Sequence, residues 1–349
     1  MIAALPLVFA LFPLGVGSQP GTPVCTTTWT FNGDGNWDTA ANWDHGLPTT
    51  GSTVCIPAHT VTYDHATTNV ASIQSVGTLA ITNGTLQTTD LSEDSSIASL
   101  VQSGGILGGP STVVLTGAST WSGGTMTGSG TTRLAGGGTL SLSGNVFLSQ
   151  FRRLDLHGTA TWSAGTISAP GTTTSVLVNQ GGVLDVTADL NLQGAGTLDV
   201  AAGGTLRKSA GTGTSTIQPR STSEGLIESL SGTISFPGSL KNGGTLSTAA
   251  SARATAPFEN SGVIRGSGTI QGNVASGAEV SPGLSTGALT VQGSYEQQPQ
   301  ARLRVEISSA SLYDTLAATS PATLDGTLTI ESAPGEGTVI DVAIPASNS

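Results

Sequence analysis

Three aspartates are the residues of this chain best suited to acid–base chemistry. Asp155, Asp185 and Asp199 each follow a leucine in a short apolar stretch that predicts a strand, so they point outward if the leucines point inward. A glycosidase needs two carboxyl groups about 5 to 10 Å apart, whereas a lyase needs an acidic metal site and a basic proton acceptor. These aspartates are therefore the candidates for chemistry on carbohydrate.

Basic residues surround the first of these aspartates, namely Arg152, Arg153 and His157. However, the separations between the three aspartates are unequal and are not multiples of one repeat, and the paired-Asp and Gly-His-Gly signatures of pectin-degrading enzymes are absent. We therefore interpret the aspartates as outward polar positions on strands and predict that the chain is not an enzyme. The alternative is a carbohydrate-active β-helix enzyme, a polysaccharide lyase or hydrolase.

Two features near the N-terminus could in principle hold a metal. Residues 32–38, NGDGNWD, resemble the start of a calcium loop, but Trp43 stands where the bidentate Glu would be, which favours a Gly/Asn turn. His45, His59 and His65 lack zinc-ligand spacing, so we interpret them as surface or turn residues. We predict neither a metal site nor a cofactor.

The surrounding chain consists of short apolar units that recur between turn residues. In residues 261–293, aliphatic residues alternate with polar ones and are interrupted every few positions by Gly, Asn, Ser or Pro. The chain has 49 Gly, 4% aromatic and 9% charged residues, a composition that suits a thin aliphatic core enclosed by glycine-rich turns. The pattern predicts an all-β fold, a parallel β-helix (β-solenoid), with repeats over residues 66–330.

One internal repeat indicates the length of a coil. The segment TWSGGTMTGSGTT begins at Thr120, and the similar segment TWSAGTISAPGTT begins at Thr161. The offset between them predicts two coils of ordinary length, with Trp121 and Trp162 in equivalent places on one face. We expect both rings to be buried because they occupy matched structural positions. The alternative is that they form a ligand-binding stripe.

Residues 1–18 match a secretory signal peptide. An apolar run over residues 2–16 is too short and too rich in proline to be a good membrane span, although no Lys or Arg precedes it. We therefore expect export, with no membrane span after cleavage, and a secreted or cell-surface location. A noncleaved anchor is the alternative.

Residues 19–65 form a separate tryptophan-rich block that contains both cysteines. In an exported chain, Cys25 and Cys55 predict a disulfide. Trp29, Trp37 and Trp43 suggest a cap over the open apolar end of the first coil, and a sugar-binding platform is the alternative. The block resembles the W…G-x-W…NW-x-x-G-x-P…V-x-I module that opens many secreted bacterial repeat proteins.

The last third of the chain carries a second resemblance. An N-x-G-x-I unit is followed by G-S-G-T-I-x-G-N-V and x-V-x-P-G-x-S-x-G-x-L-T-x-x-G-x-Y, and then by YDTL and ATLDGTLTI. The matching residues are Asn260, Gly262, Ile264, residues 266–270 and 272–274, Val280, Pro282, Gly283, Ser285, Gly287, Leu289, Thr290, Gly293 and Tyr295. This part resembles bacterial autotransporter passengers. The resemblance implies a right-handed β-helix displayed outside the cell, and it implies no particular chemistry.

Residues 331–349 depart from the repeat. The SAPGEGT stretch resembles the end of a histidine-kinase ATP-binding domain, but the nucleotide-binding motifs of that domain are absent upstream. We expect a terminal hairpin that caps the last coil, or a tail.

The charge balance limits the partners. With 11 basic and 22 acidic residues, the chain is poorly suited to bind nucleic acid or an anionic membrane surface. We therefore expect a noncatalytic exported bacterial β-helix protein that is adhesive or structural, with a polysaccharide or a host or cell-surface ligand as its partner.

Overall fold

A computed structural model describes residues 23–254, 258–332 and 339–344. In these ranges the secondary structure is β-strand apart from one 3-10 turn, Ala40–Asn42. One sheet contains thirteen parallel strands, each from a different coil, so the chain winds through about thirteen coils of a β-solenoid. The structure confirms the predicted all-β solenoid; the signal-peptide segment lies outside the described residues.

Alternation of side chains along each strand produces the solenoid. In Thr139–Leu142, Leu140 and Leu142 are buried while Thr139 is exposed. Leu140 pairs with Ala160 of the next coil, and Ala160 pairs with Leu184 of the one after. Each buried residue therefore packs on the equivalent residues of the coils above and below it, which forms one continuous core.

Three faces enclose this core, and each face is a column of parallel strands. The first face contains Thr27–Thr28, Thr53–Ile56, Val113–Leu115, Thr131–Leu134, Arg153–Leu156, Ser175–Val178, Thr197–Val200, Arg220–Ser223, Ser239–Asn242, Phe258–Asn260, Val274–Ser276, Tyr295–Gln297 and Ala322–Thr323. The second contains Gly35–Asn36, Thr60–Tyr63, Ala118–Trp121, Thr139–Leu142, Thr159–Trp162, Val183–Val186, Thr205–Lys208, Leu226–Ser229, Thr245–Thr248, Val263–Gly266, Glu279–Pro282, Arg302–Ser309 and Gly326–Ser332. The third contains Thr67–Val70, Thr85–Thr88, Ile106–Gly108, Thr125–Met126, Val146–Leu148, Thr166–Ser168, Asn191–Gln193, Thr214–Ile217, Thr233–Phe236, Ser251–Ala254, Thr269–Gln271, Ala288–Gln292 and Thr315–Ala318.

Two long strands, Ser72–Ile81 and Ser95–Gln102, contribute to both the first and the second face.

Coil length varies along the solenoid. The paired residues Asp199 and Thr222 are 23 residues apart in sequence, whereas the paired Asn260 and Ser276 are only 16 apart. In the middle of the chain, Trp121 pairs with Leu142, which pairs with Trp162. The two tryptophans are thus two coils apart, as their sequence offset predicts.

Buried amides close the turns between the first and second faces. The Nδ2 of Asn260 donates to the carbonyl of Gly262 at 2.7 Å and to Oγ of Ser276 in the next coil at 3.1 Å. The Nδ2 of Asn242, one coil earlier, donates to Oδ1 of Asn260 at 2.7 Å. One side-chain amide thus donates hydrogen bonds both to the turn of its own coil and to the adjacent coil. This explains why Asn stands two residues before Gly in this motif.

The N-terminal block contributes the first strands of the first and second faces. Cys25 and Cys55 form the predicted disulfide, with their Cα atoms 5.6 Å apart. The indoles of Trp29 and Trp37 each make an edge contact with that of Trp43, at centroid distances of 5.0 Å, and all three rings join the core. The block therefore extends the solenoid core toward the N-terminus.

The C-terminal end contains antiparallel pairs. Leu312–Tyr313 pairs with Arg302–Ser309, and Val339–Ile344 pairs with Gly326–Ser332. These pairs add strands that run against the direction of the stack. Within the described ranges, no helix has the length and hydropathy required to cross a membrane.

Candidate functional site

Asp155 lies at the centre of a polar cluster on the first face. Its Oδ2 is 3.3 Å from Nε2 of His157 and 3.5 Å from Nε of Arg133, and its Oδ1 accepts a hydrogen bond from Nδ2 of Asn179 at 3.1 Å. A guanidinium nitrogen of Arg153 lies 4.0 Å from Oδ1. Asp155 points outward, as its strand position predicts, but these neighbours leave it only 5% exposed.

The length of the turns creates a notch above this cluster. The turn after Leu156 has two residues, whereas the turns one coil before and one coil after it have four residues each, 135–138 and 179–182. The longer turns project on both sides of His157 and leave an open depression of about 770 Å³. The side chain of His157 is 34% exposed in this notch and lies beside Arg133 and Asn179, which makes the notch a polar site for hydrogen bonding.

Arg152 does not belong to this cluster, which corrects the sequence interpretation. Its side chain is fully buried and donates to Oγ1 of Thr132 at 2.8 Å and to the carbonyls of Gly109 and Ser111 at 3.2 and 3.4 Å. Successive residues point to opposite sides, so Arg152 points inward where Arg153 points outward. Burial lowers the pKa of this guanidinium to about 10.

The other two aspartates lie apart from Asp155. Asp199 is in the same row of the first face but two coils away, with Leu177 between them, which places the backbones about 10 Å apart. The hydroxyls of Thr197 and Thr222 donate to the Asp199 carboxylate. The three aspartates therefore do not form one cluster, although two of them share a row.

Asp185 is on the second face, where it accepts a 2.7 Å hydrogen bond from Arg207 of the next coil. Burial raises the pKa of Asp185, but the hydrogen bonds from Arg207 and Ser209 and the positive charge of Arg207 together lower it by more, so the net pKa is below the usual value. An ionised carboxylate held by a neighbouring guanidinium is a structural ion pair rather than a proton donor.

The five tryptophans, for which a ligand-binding surface was the alternative role, are buried. Trp121 and Trp162 are inaccessible to solvent, and Trp29, Trp37 and Trp43 are 1 to 4% exposed. The indole N–H groups of Trp29, Trp43 and Trp162 donate to main-chain carbonyls. Burial leaves none of the five ring faces available to a ligand in this structure.

The polar residues at the N-terminus connect the cap to the first coils. Oδ1 of Asp34 accepts the backbone N–H of Thr60 at 2.6 Å, and Oδ1 of Asn36 accepts that of Asp38 at 2.8 Å, an Asx turn. The ring of His65 lies 2.8 Å from a carboxylate oxygen of Asp38. These contacts engage Oδ1 of Asp34, Oδ1 of Asn36 and the carboxylate of Asp38 in a turn and in bonds to the adjacent coil.

A second charged cluster, which the sequence analysis missed, lies at the C-terminal end of the second face. A cleft of about 290 Å³ is lined by Arg265, Glu279, Arg304, Glu306 and Asp314, among others. We call it the C-terminal cleft. Arg265 aligns with Ser281 of the next coil, and Arg304 follows Leu303, which pairs with Val280 beside Ser281, so the two arginines point outward from the same face.

The segment 283–287 forms one wall of the C-terminal cleft. Asp314 holds this wall, because its Oδ1 accepts the backbone N–H of Gly287 at 2.7 Å and its Oδ2 accepts that of Glu306 at 2.8 Å. Burial raises the pKa of Asp314, while the two N–H bonds partly oppose that rise. Gly283 has φ of +89° and a Cβ there would lie 1.8 Å from the Ser285 carbonyl, so the wall requires glycine.

No family model matches the chain, and it matches neither a curated protein nor a solved structure. Among the residues that the structure describes, no three of the His, Cys, Asp and Glu side chains are grouped so as to hold a metal ion.

Proposed function

We propose that this protein is a noncatalytic extracellular β-helix, similar to autotransporter passengers, that adheres to polysaccharide through its lateral faces. The observation that carries the proposal is an uncharged strip on the second face. Over six consecutive coils its twelve outward positions contain no charged residue; they are Thr60, Thr62, Thr78, Ala80, Ser99, Val101, Ala118, Thr120, Thr139, Ser141, Thr159 and Thr161.

The strip has the chemistry of a hydroxyl-binding surface. Strands about 4.8 Å apart repeat its Thr and Ser hydroxyls for about 24 Å, and each hydroxyl both donates and accepts hydrogen bonds. Because no ion pair must be broken there, a neutral extended polymer can contact the strip without desolvating a charge. The acidic net charge of −11 limits association with anionic polymers.

An extracellular location is part of the proposal. The Cys25–Cys55 disulfide supports it, because structural disulfides persist in oxidising compartments. The apolar run of residues 2–16 supports export as well. Expression of the full chain in a bacterial host tests this: an extracytoplasmic product that begins near Gln19 is expected, whereas an intact cytoplasmic chain contradicts export.

Binding and turnover of the purified chain, from Gln19 onward, on an array of plant, microbial and host polysaccharides with calcium present test the adhesive role. Retention without released product is the expected result. The variant Thr120→Lys with Thr161→Lys places two charges in the strip and is expected to weaken retention, whereas Thr216→Lys on the third face is the control. Released oligosaccharide contradicts a noncatalytic role.

The alternative function is a carbohydrate-active enzyme, and the notch at His157 favours it. There Asp155 orients a partly exposed imidazole beside Arg133 and Asn179, an arrangement in which His could accept a proton and Arg could neutralise a sugar carboxylate. Under this alternative His157→Gln abolishes product release from an acidic polysaccharide, and Asp199→Asn does not. Absence of product from the unmodified chain excludes the alternative for the substrates tested.

A further inference from the structure

The C-terminal cleft combines charged and apolar walls on three consecutive coils. Strands Val263–Gly266, Glu279–Pro282 and Arg302–Ser309 present two guanidinium groups and two carboxylates to it. Val263, Pro282 and Leu284 line the same space, and Leu284 is 74% exposed at its edge. An exposed leucine beside exposed charges is an amphipathic surface of the kind that binds ligands.

Two of the charged side chains in the cleft are available to a ligand. Within the described residues, no hydrogen bond or ion pair joins the side chain of Arg265 or Glu279 to another side chain. The charge of Glu279 acts on Arg304 at longer range, since it adds to the larger effect of Glu331 in raising the pKa of that guanidinium. Arg304 forms an ion pair with Glu331 and keeps part of its guanidinium exposed. Both oxygens of Asp314 accept backbone N–H groups, so Asp314 positions the wall rather than the ligand.

The balance of charges identifies the class of ligand. The negative charges of Glu279 and Glu306 would repel a phosphate or sulfate, while the positive charges of Arg265 and Arg304 would repel a cation. A guanidinium donates only and a carboxylate accepts only, so together they match a group that does both, which is the pair of neighbouring hydroxyls on a sugar ring. The apolar wall of Val263, Pro282 and Leu284 matches the C–H face of such a ring.

The cleft continues along the solenoid axis. A shallower depression of about 370 Å³ lies beside it on the preceding coils and shares Thr245 and Arg265 with the cleft. Thr205, Glu224 and Leu226 line its far part. A groove that crosses several coils fits a chain of sugar units better than a single one.

We propose that the C-terminal cleft is a binding subsite for an uncharged stretch of polysaccharide, with Arg265 and Glu279 as its hydrogen-bonding residues and Leu284 as its apolar contact. This inference rests on the proposed adhesive function and specifies where one sugar segment binds. The subsite is separate from the uncharged strip, which ends at the coil of Thr159–Trp162 on the same face.

The test measures equilibrium binding of the purified chain to soluble neutral polysaccharides, a β-glucan, a xylan and a galactomannan, with polygalacturonate as the acidic comparison. Glu279→Gln and Arg265→Gln each remove one charged partner and are expected to weaken binding of a neutral polymer about tenfold. Leu284→Ser is expected to weaken it as well. The matched controls are Glu296→Gln on the first face and Arg253→Gln on the third, both exposed, and they are expected to leave binding unchanged.

The outcomes separate the two proposals. If the unmodified chain binds a neutral polysaccharide and the cleft variants bind it equally well, the subsite is wrong and the adhesive function stands. If the unmodified chain binds none of the polymers, the adhesive function fails. Binding to polygalacturonate alone overturns the subsite, because Glu279 and Glu306 would repel that polymer. Unchanged thermal unfolding of Glu279→Gln, which is nearly isosteric, separates lost contacts from lost folding.

Discussion

The carboxylate of Asp314 accepts the backbone N–H of Gly287 at 2.7 Å, across 27 residues of sequence. This bond joins two motifs that are separate in the chain, the P-G-x-S-x-G segment that contains Gly283 and the Y-D-T-L segment that contains Asp314. The second carboxylate oxygen accepts the N–H of Glu306, so one side chain fixes the loop to the strand beside it. The two motifs thus form one structural unit at the edge of the C-terminal cleft.

Replacement of this carboxylate should release the loop. Asp314→Ala leaves the N–H groups of Gly287 and Glu306 without an acceptor, at a cost of about 1 to 3 kcal/mol for each group that stays buried. We expect faster amide hydrogen exchange at Gly287 and Glu306 and little change in the N-terminal coils, because coils interact with their neighbours. Asp325→Ala, which removes a carboxylate from a neighbouring turn, is the control. Equal protection in Asp314→Ala and the unmodified chain would contradict this role.

Lowering the pH should stabilise the unmodified chain relative to a variant whose residue 314 has no titratable carboxyl group. Burial raises the pKa of Asp314, so between its unfolded and folded pKa values the folded state binds more protons than the unfolded state. The contribution of Asp314 to stability therefore falls as pH rises through this window. Unfolding of the unmodified chain and of Asp314→Asn, compared from about pH 3 to pH 7, isolates the effect. Parallel pH profiles of the two proteins would sink this prediction.

The stability of the coil around buried Lys208 should depend strongly on the one carboxylate that contacts this side chain. Its Nζ is inaccessible to solvent and donates to Oδ1 of Asp189 at 2.9 Å and to the carbonyls of Ala188 and Ala210. The hydrogen bond from Lys208 lowers the pKa of Asp189, so this stabilisation is present above the usual aspartate pKa and disappears as pH falls through the lowered value.

Removal of the Asp189 carboxylate alone should therefore lower the stability of the fold more than removal of both charged groups. Asp189→Asn leaves a buried cation without its counter-ion, whereas Asp189→Asn combined with Lys208→Met replaces the cation by an apolar side chain of similar length. We expect the double variant to be more stable than Asp189→Asn in urea unfolding followed by circular dichroism. A double variant that is less stable than the single one would contradict this prediction, because it would show that Lys208 stabilises the coil without its carboxylate, through its bonds to the carbonyls of Ala188 and Ala210.

The buried tryptophans should be essential to the adjacent coils. Trp162 fills an inward position next to Leu142 and is inaccessible to solvent, so Trp162→Ala should lower the free energy of unfolding by about 3 to 5 kcal/mol. Phe147→Ala, at a side chain that is 46% exposed, should cost much less. Urea unfolding followed by circular dichroism compares the two. Similar losses for the two variants would contradict the packing role.

Local patterns in the sequence determined the class of fold and several of its contacts. Alternation of apolar and polar residues predicts strands, and the repeat at Trp121 and Trp162 predicts their alignment two coils apart, because similar local sequence winds through a similar number of residues. The disulfide followed from composition, since Cys25 and Cys55 are the only cysteines.

Tertiary structure decided which distant residues meet. Coil length changes with the turns, from 23 residues between the paired Asp199 and Thr222 to 16 residues between the paired Asn260 and Ser276, so spacing in sequence does not give the register. For this reason the sequence could not show that Asp155 and Asp199 share a row while Asp185 lies on another face.

The C-terminal cleft could not be predicted from the sequence for the same reason, because the turns between its coils vary in length. Its charged residues come from separate strands and from the Y-D-T-L segment, and none of them belongs to a local motif of its own that indicates a site. Local sequence sets whether a residue points inward or outward, because that choice depends only on its place in its own strand. Which outward residues become neighbours depends on the length of every intervening turn, and only the folded chain determines that.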